Sequence, residues 1–383
     1  MKILLCKTAD FGGANYLIER YYQWLKRQGI YAESIIVKDN IWPKEKQFDI
    51  AVLPCYVMND IYALKKKGYT IDRVVLWDMG AGCFQDGYYN PAHTTGVKGI
   101  LTGFLRREAE KALQCVTDRN ALIFTDVIGR YNTYKKDSYT HAEFENENLI
   151  PIGIPFETEY QRKERTEVIK ACWVGRVAMD FKYIPLMKAM RDLDAYCKST
   201  GVKVAFSIVG TGDAIQQVKS DVKSISYPVE YIEFLEYEKL HDFFVTQDMA
   251  FGMGTSALDA AKSGCPAVIV TQIRPHIDPE ESYYRWVYES KGYSMGEYPG
   301  LDRISHQVMK SFEELMSEFI AQEDIGKKCY EHAKMYDENI VFQKLLDREP
   351  PKKIDKSMWK HIRRYYYIKR LTRLYCKIRK MPM

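Results

Sequence analysis

Residues 249–266 read Met249-Ala250-Phe251-Gly252-Met253-Gly254-Thr255-Ser256-Ala257-Leu258-Asp259-Ala260-Ala261-Lys262-Ser263-Gly264-Cys265-Pro266. The apolar run Met249–Gly252 ends in Gly-Met-Gly-Thr-Ser and passes into small residues. This predicts a strand, a glycine turn and a short helix over Ser256–Ser263. Ser256 is placed as the N-cap. A helix that starts at a strand end presents unpaired N–H groups and the positive end of its dipole, which together favour an anion. The amides of Gly254, Thr255, Ser256, Ala257 and Leu258 are therefore candidate phosphate donors. Asp259 is placed in the first helical turn. A carboxylate there can accept hydrogen bonds from two vicinal ribose hydroxyls, or simply compensate the dipole.

The same grammar extends in both directions. Strands are expected at Ala171–Val174, Val204–Val209, Val229–Phe234 and Ala267–Thr271. Helices fit between them at Tyr183–Ser199, Ala214–Ser224 and Tyr237–Val245. Strands separated by helices imply a parallel sheet covered on both faces. Upstream, strands are expected at Ile3–Cys6, Ser34–Val37, Ile50–Leu53, Val74–Trp77 and Leu122–Thr125, with helices at Ala14–Gly29 and Phe104–Cys115. The fold class is α/β, with two doubly wound, Rossmann-like domains facing a cleft and a basic amphipathic C-terminal helix. Two prolines and a glycine in Pro151-Ile152-Gly153-Ile154-Pro155 mark the join, giving domains at 1–155 and 156–346. The chain turns helical from Arg303 to about Leu346, Pro350-Pro351 breaks it, and a tail follows over 347–383.

Sheets of this kind bind ligands outside the carboxyl ends of their strands. After Val174 stand Gly175 and Arg176, with Lys182 six residues on. Two cations at a strand end can neutralise a diphosphate; two solvated bases are the plainer reading of the same residues. After Val209 comes Gly210-Thr211-Gly212-Asp213, a glycine turn without the full dinucleotide fingerprint. It is a plain turn or part of a nucleotide loop. After the first strand, Gly12 and Gly13 precede a helix, as either a tight turn or an anion site. Asp192-Leu193-Asp194 has the look of a metal motif, but it lies within a helical pattern and is read as a solvated face.

Charge separates the tail from the rest. The 383 residues sum to +5, yet residues 350–383 hold 12 Lys and Arg against Asp355 alone, a net +11. The remainder is therefore −6, which excludes a uniformly basic nucleic-acid binder. Over 357–380, Met358, Ile362, Tyr365, Ile368, Leu371, Tyr375 and Ile378 recur at helical spacing among the bases. That pattern suits an anionic membrane surface, or a helix packed on its own domain, with nucleic-acid binding a distant third. No apolar run reaches the roughly 18 residues of a membrane span. The nine cysteines form no Cys-x-x-Cys pair, and a reducing cytoplasm is expected.

The order of these features resembles the GT-B glycosyltransferases, most closely the family 4-like retaining transferases. Three stretches carry the likeness: Val174-Gly175-Arg176 with Lys182, Ile208-Val209-Gly210-Thr211-Gly212, and Ser256–Pro266. Gly12-Gly13 before a helix also fits, and the likeness covers roughly residues 1–346. It implies transfer of a sugar from a nucleotide-diphosphate donor to a hydroxyl of a glycan or lipid-linked acceptor, in cell-surface polysaccharide or glycolipid synthesis. The protein would sit peripherally on the inner face of the membrane, with no nucleic acid partner. It implies that Arg176, Lys182 and the amides of 255–258 bind the diphosphate, and that Asp259 binds the ribose. No metal and no cofactor are expected beyond the donor substrate. On the acceptor side it points to Asp78 at a strand end and then to His93. His276 and Asp278 fall where the family contacts the donor sugar. One position departs from the pattern: Phe251 stands where the family commonly has a sugar-contacting glutamate. Two alternatives stand beside the transferase: a sugar-nucleotide epimerase on the same fold, against which Phe251 speaks, and a catalytically degenerate partner protein, for which Phe251 is the motive.

Overall fold

Alternating apolar runs and amphipathic stretches become two sheets. The computed structural model describes residues 1–7, 13–36, 42–55, 58, 60–80, 96–134, 148–156, 159–160, 166–179, 181–273, 278, 282–304 and 306–378. The chain divides into two compact units. One comprises Met1–Asp137, His141–Gly153 and Phe342–Met383, and the other Ser138–Thr140 and Ile154–Val341.

The first unit is built on β1 (Lys2–Lys7), β2 (Tyr31–Ile36), β3 (Gln47–Pro54), β4 (Thr70–Asp78) and β5 (Leu122–Phe124). Their order is β2-β1-β3-β4-β5, with every pairing parallel. The helices are α1 (Gly13–Arg27), α2 (Asp60–Lys66), α3 (Gly96–Thr117) and α4 (Val127–Tyr134). The α1 helix buries Leu17, Ile18, Tyr21, Trp24 and Leu25, the stripe its spacing requires, and Gly29 follows with φ +70°. The helices α2 and α4 are additions to the sequence reading. Each is under nine residues, too short to display a periodic pattern.

The second unit holds β6 (Val168–Val174), β7 (Lys203–Val209), β8 (Val229–Ile232), β9 (Met249–Gly252), β10 (Ala267–Val270) and β11 (Tyr284–Trp286). Its helices are α5 (Tyr183–Thr200), α6 (Ile215–Asp221), α7 (Leu240–Val245), α8 (Thr255–Lys262), α9 (Pro299–Ile304), α10 (Phe312–Ala321), α11 (Ile325–Ala333) and α12 (Glu338–Asp347). The order is β11-β10-β9-β6-β7-β8. The sheet is parallel except for β11, an unforeseen antiparallel edge. Chain order reverses between β6 and β9. The carboxyl ends of those two neighbours therefore form the topological switch point, where ligands settle in open α/β sheets.

One sequence expectation, the solvated face of Asp192 and Asp194, is corrected here, and the departure at Phe251 is placed. Phe251 is core: it lies in β9, 1% exposed, and stacks on Phe206 and Phe312 at 6.3 Å each. The pair Asp192 and Asp194 is not a solvated face. Asp194 is 6% exposed and accepts from the Ser226 amide at 2.8 Å and the Ser226 hydroxyl at 2.5 Å. Asp192 accepts from the Tyr284 hydroxyl at 2.5 Å. Both carboxylates are tertiary ties, which explains their presence without a metal.

The tail forms α13 (Lys356–Ile378), and it packs within the first unit against α2 and α3. Met358, Ile362 and Tyr365 are at most 1% exposed. The His361 imidazole meets Glu108 of α3 at 3.0 Å, Lys65 of α2 lies 4.0 Å from the Trp359 ring, and Arg119 pairs with Asp355. Among the described residues, no helix is long and apolar enough to cross a membrane.

Candidate functional site

The switch point gathers three separated sequence stretches. β6 ends in Gly175, whose φ of +137° suits glycine. A Cβ at Gly175 would stand 3.6 Å from Lys182 Nζ and 3.9 Å from Ser256 Oγ. So the ammonium at the start of α5 and the hydroxyl in the first turn of α8 converge over a residue without a side chain. Arg176 is exposed beside them. The Arg176 guanidinium and the Lys182 ammonium both lie near the Phe181 ring, 5.7 and 5.9 Å from its centre. One aromatic ring thus borders both cations, a contact with no local signature in the sequence.

The turn into α8 differs in detail from expectation. The N-cap is Gly254, not Ser256, at φ +65° and ψ −138°, a conformation that disfavours any side chain. The Ser256 hydroxyl donates instead to the Met253 carbonyl at 3.2 Å. Of the five proposed phosphate amides, two are already used. Gly254 N–H donates to Met295 O at 3.0 Å, and Leu258 N–H closes the first helical bond to Gly254 O at 3.4 Å. The Thr255, Ser256 and Ala257 amides remain as the orphan donors of the first turn.

Gly210 and Gly212 support this loop from beneath. A Cβ on Gly210 would overlap Gly175 O, and one on Gly212 would overlap Val177 O. The close approach lets Gly175 N–H reach Val209 O at 2.9 Å and Val177 N–H reach Thr211 O at 2.8 Å. Asp213 accepts from the Met179 amide at 3.0 Å. In the structure these residues hold the backbone that carries Arg176.

Asp259 stands in the second turn of α8, not the first, and is 5% exposed. Its Oδ1 accepts from the Tyr237 hydroxyl at 3.0 Å and pairs with Lys262 Nζ at 3.2 Å. Lys262 also donates to Tyr237 at 3.0 Å and to Pro155 O at 3.2 Å. This buried trio offsets the carboxylate's charge. None of the described residues bonds Oδ2.

In the first unit, Asp78 ends β4 and is 0% exposed. Its Oδ2 accepts from the Thr133 hydroxyl at 2.9 Å, tying β4 to α4. Asp126, which the sequence reading passed over, accepts from Gly129 N–H at 2.7 Å and caps α4. Gly13 begins α1, and Asp278 is exposed. Gly12, His93 and His276 lie outside the described residues.

No family model matches the chain, and no curated protein matches it in sequence. Solved structures do. The lipopolysaccharide outer core galactosyltransferase WaaB is similar over 91% of this chain and 98% of its own, at 13% identity and a TM-score of 0.52. Sucrose-phosphate synthase from Thermosynechococcus elongatus is similar over 90% and 97%, at 13% identity and a TM-score of 0.54. A TarM variant from S. aureus, solved with Fondaparinux, alpha-GlcNAc-glycerol and UDP, matches at 13% identity and a TM-score of 0.45. That match covers 78% of this chain, which spans only about half (54%) of TarM. The first two likenesses establish the fold: two Rossmann-like units of the GT-B type.

Proposed function

We propose that the protein is a glycosyltransferase that moves a sugar from a nucleotide-diphosphate donor to a hydroxyl of a glycan or lipid-linked acceptor. The observation that carries this reading is the meeting of Lys182 and Ser256 over Gly175, with Arg176 alongside, at the switch point of one sheet. Two cations and three free amides there match the charge of a diphosphate. The diphosphate gains negative charge as the glycosidic bond to it breaks. Donors already aimed at that position stabilise the transition state more than the ground state. Asp259 Oδ2, beside the committed Oδ1, is assigned to the ribose hydroxyls. The proton of the acceptor hydroxyl is assigned to Asp78, with His93 second. Retention of anomeric configuration rests on the family 4-like resemblance of the motifs. So does a place in cell-surface polysaccharide or glycolipid synthesis, whereas action at the inner face of a membrane rests on the basic amphipathic pattern of residues 357–380.

With Phe251 in the core, contacts to the donor sugar must come from elsewhere on the site's rim. Met295 and Gly296 border the turn into α8, because Met295 O takes the Gly254 amide and Gly296 would meet Met253 Cβ at 3.1 Å if it carried a side chain. The test is a thermal-shift series with nucleoside diphosphates and nucleotide sugars, followed by incubation of the stabilising donor with and without acceptors. Stabilisation by one nucleoside diphosphate, and sugar transfer only when an acceptor is present, is the expected result. A new nucleotide sugar formed from donor alone would replace transfer with epimerisation. No stabilisation by any of them would end the reading.

A further inference from the structure

We propose that the neighbouring ends of α3 and α13 form one docking surface for an anionic lipid bilayer. The proposal rests on the membrane part of the proposed function and uses none of the sugar-transfer residues, so vesicle binding and nucleotide binding can fail separately. The two helices run antiparallel: Arg119 pairs with Asp355, while further along Glu108 meets both His361 and Arg364. From Glu108 back to Ile100, and from Arg364 on to Leu371 or Leu374, each helix advances about 10–15 Å in the same direction. The outward residues of these two stretches therefore share one end of the pair.

That end is apolar and exposed. Ile100 is 61% exposed, Phe104 47%, Leu371 58% and Leu374 55%. Ile100 and Phe104 lie four apart, and Tyr367, Leu371 and Leu374 lie at i, i+4 and i+7, so each set is a single helical stripe. At about 100° per residue, the Tyr367 stripe falls on the side of α13 opposite the buried stripe of Met358, Ile362 and Tyr365. The helix has two apolar faces. One is used inside the unit; on the other, Tyr367 meets the Tyr62 ring of α2 at 5.9 Å, while Leu371 and Leu374 beyond it are more than half exposed.

Charge selects the occupant. The exposed bases Lys360, Arg363 and Arg370 flank the outer stripe of α13, and Arg107 of α3 lies 4.7 Å from the Phe104 ring. Residues 369–380 contain six bases and no acid, and residues 96–107 contain three bases and no acid. With bases and no acid in these two stretches, the exposed leucines and phenylalanine favour an occupant that is both anionic and apolar. Leucine and phenylalanine among bases suit the headgroup boundary of an anionic bilayer.

The experiment is sedimentation of the full chain with vesicles of mixed phosphatidylglycerol and phosphatidylcholine, and with phosphatidylcholine alone. Binding to the anionic vesicles only, weakened by salt, is expected. Leu371→Ser with Leu374→Ser should weaken partitioning at least about tenfold, and Arg370→Gln about fivefold. All should melt like the wild type, because these side chains carry no core packing. Phe234→Ser, at a 78% exposed position in the other unit, should bind as wild type. Wild-type binding by the double leucine variant, or equal binding to both vesicle types, would overturn the proposal. Self-association without vesicles that the leucine variant abolishes would reassign the surface to a second copy of the chain. Binding to duplex DNA that anionic vesicles fail to compete would reassign it to nucleic acid.

Discussion

Gly212 lies so close to Val177 that a single methyl group on it would overlap the Val177 carbonyl oxygen. The contact joins the loop after β7 to the loop after β6, which carries Arg176. Substitution by alanine must push the two backbones apart, because the obstacle is main chain and not a yielding side-chain tip. Gly212→Ala should cost about 2–4 kcal/mol in urea unfolding. It should also abolish the thermal shift with nucleoside diphosphate, although residue 212 itself donates nothing to the ligand. Gly13→Ala, at a position with open space around its Cβ, is the control and should change stability little.

Arg176→Ala and Lys182→Ala should each lower turnover by about a hundredfold or more, the scale for removing one preorganised donor to developing charge. Melting temperature should stay near wild type, because Arg176 is exposed and Lys182 is half-buried at a helix start. Unchanged turnover in both variants would sink the assignment of the site.

Asp259→Ala should behave differently from either. It leaves Lys262 buried beside Tyr237 without its counter-charge, a loss on the order of 3–5 kcal/mol for a buried pair. Calorimetry should therefore show lost stability along with lost nucleotide binding. Asp259→Ala combined with Lys262→Met should recover much of the stability and none of the binding. Recovery of both would remove the carboxylate from the ribose role.

Asp78→Asn retains an acceptor for the Thr133 hydroxyl, so the tie between β4 and α4 should survive and the melting temperature should hold. If Asp78 takes the proton of the acceptor hydroxyl, turnover should fall about a hundredfold or more. Normal turnover in Asp78→Asn would leave it a structural residue only.

His332 makes stability depend on pH. Burial pushes its imidazole down to about 4, and its Nε2 has no hydrogen-bond partner among the described residues. The unfolded chain takes up this proton first, near the ordinary value of about 6.5. The contribution is therefore complete above about pH 6.5 and is lost as pH falls toward 4, reaching about 2 kcal/mol at about pH 5. In urea melts the wild type should lose stability relative to His332→Phe as pH falls across that window. Parallel pH profiles would refute it.

Charge and periodicity in the tail invite deletion of residues 350–383 as a detachable address. The structure predicts otherwise. Deletion removes Met358, Ile362 and Tyr365 from the interior, each at most 1% exposed. At about 1.5–3 kcal/mol for each buried side chain, the truncated protein should lose its cooperative melting transition or aggregate. A soluble truncated chain with wild-type melting would contradict this packing.

The sequence by itself determined every strand described except β11, most helices and the strand ends that matter. Met249–Gly252 and Val204–Val209 are continuous apolar runs, and Gly175, Gly210 and Gly254 punctuate them, so the signal lies within a few neighbouring residues. It also determined that bases crowd the C-terminal end. Sheet order was beyond its reach. Nothing local says that β9 lies beside β6, which is what brings Ser256, near residue 256, within reach of Lys182. Pairing across some 75 residues is decided by how all the strands and helices bury one another at once. The same holds for Gly210 and Gly212, whose use is visible only against Val177 and Gly175. It holds for Asp259, whose partners are Tyr237 and Lys262. For α13, periodicity shows one apolar stripe from Met358 to Ile378, and only packing against α2 and α3 decides that Met358, Ile362 and Tyr365 are core while Leu371 faces outward.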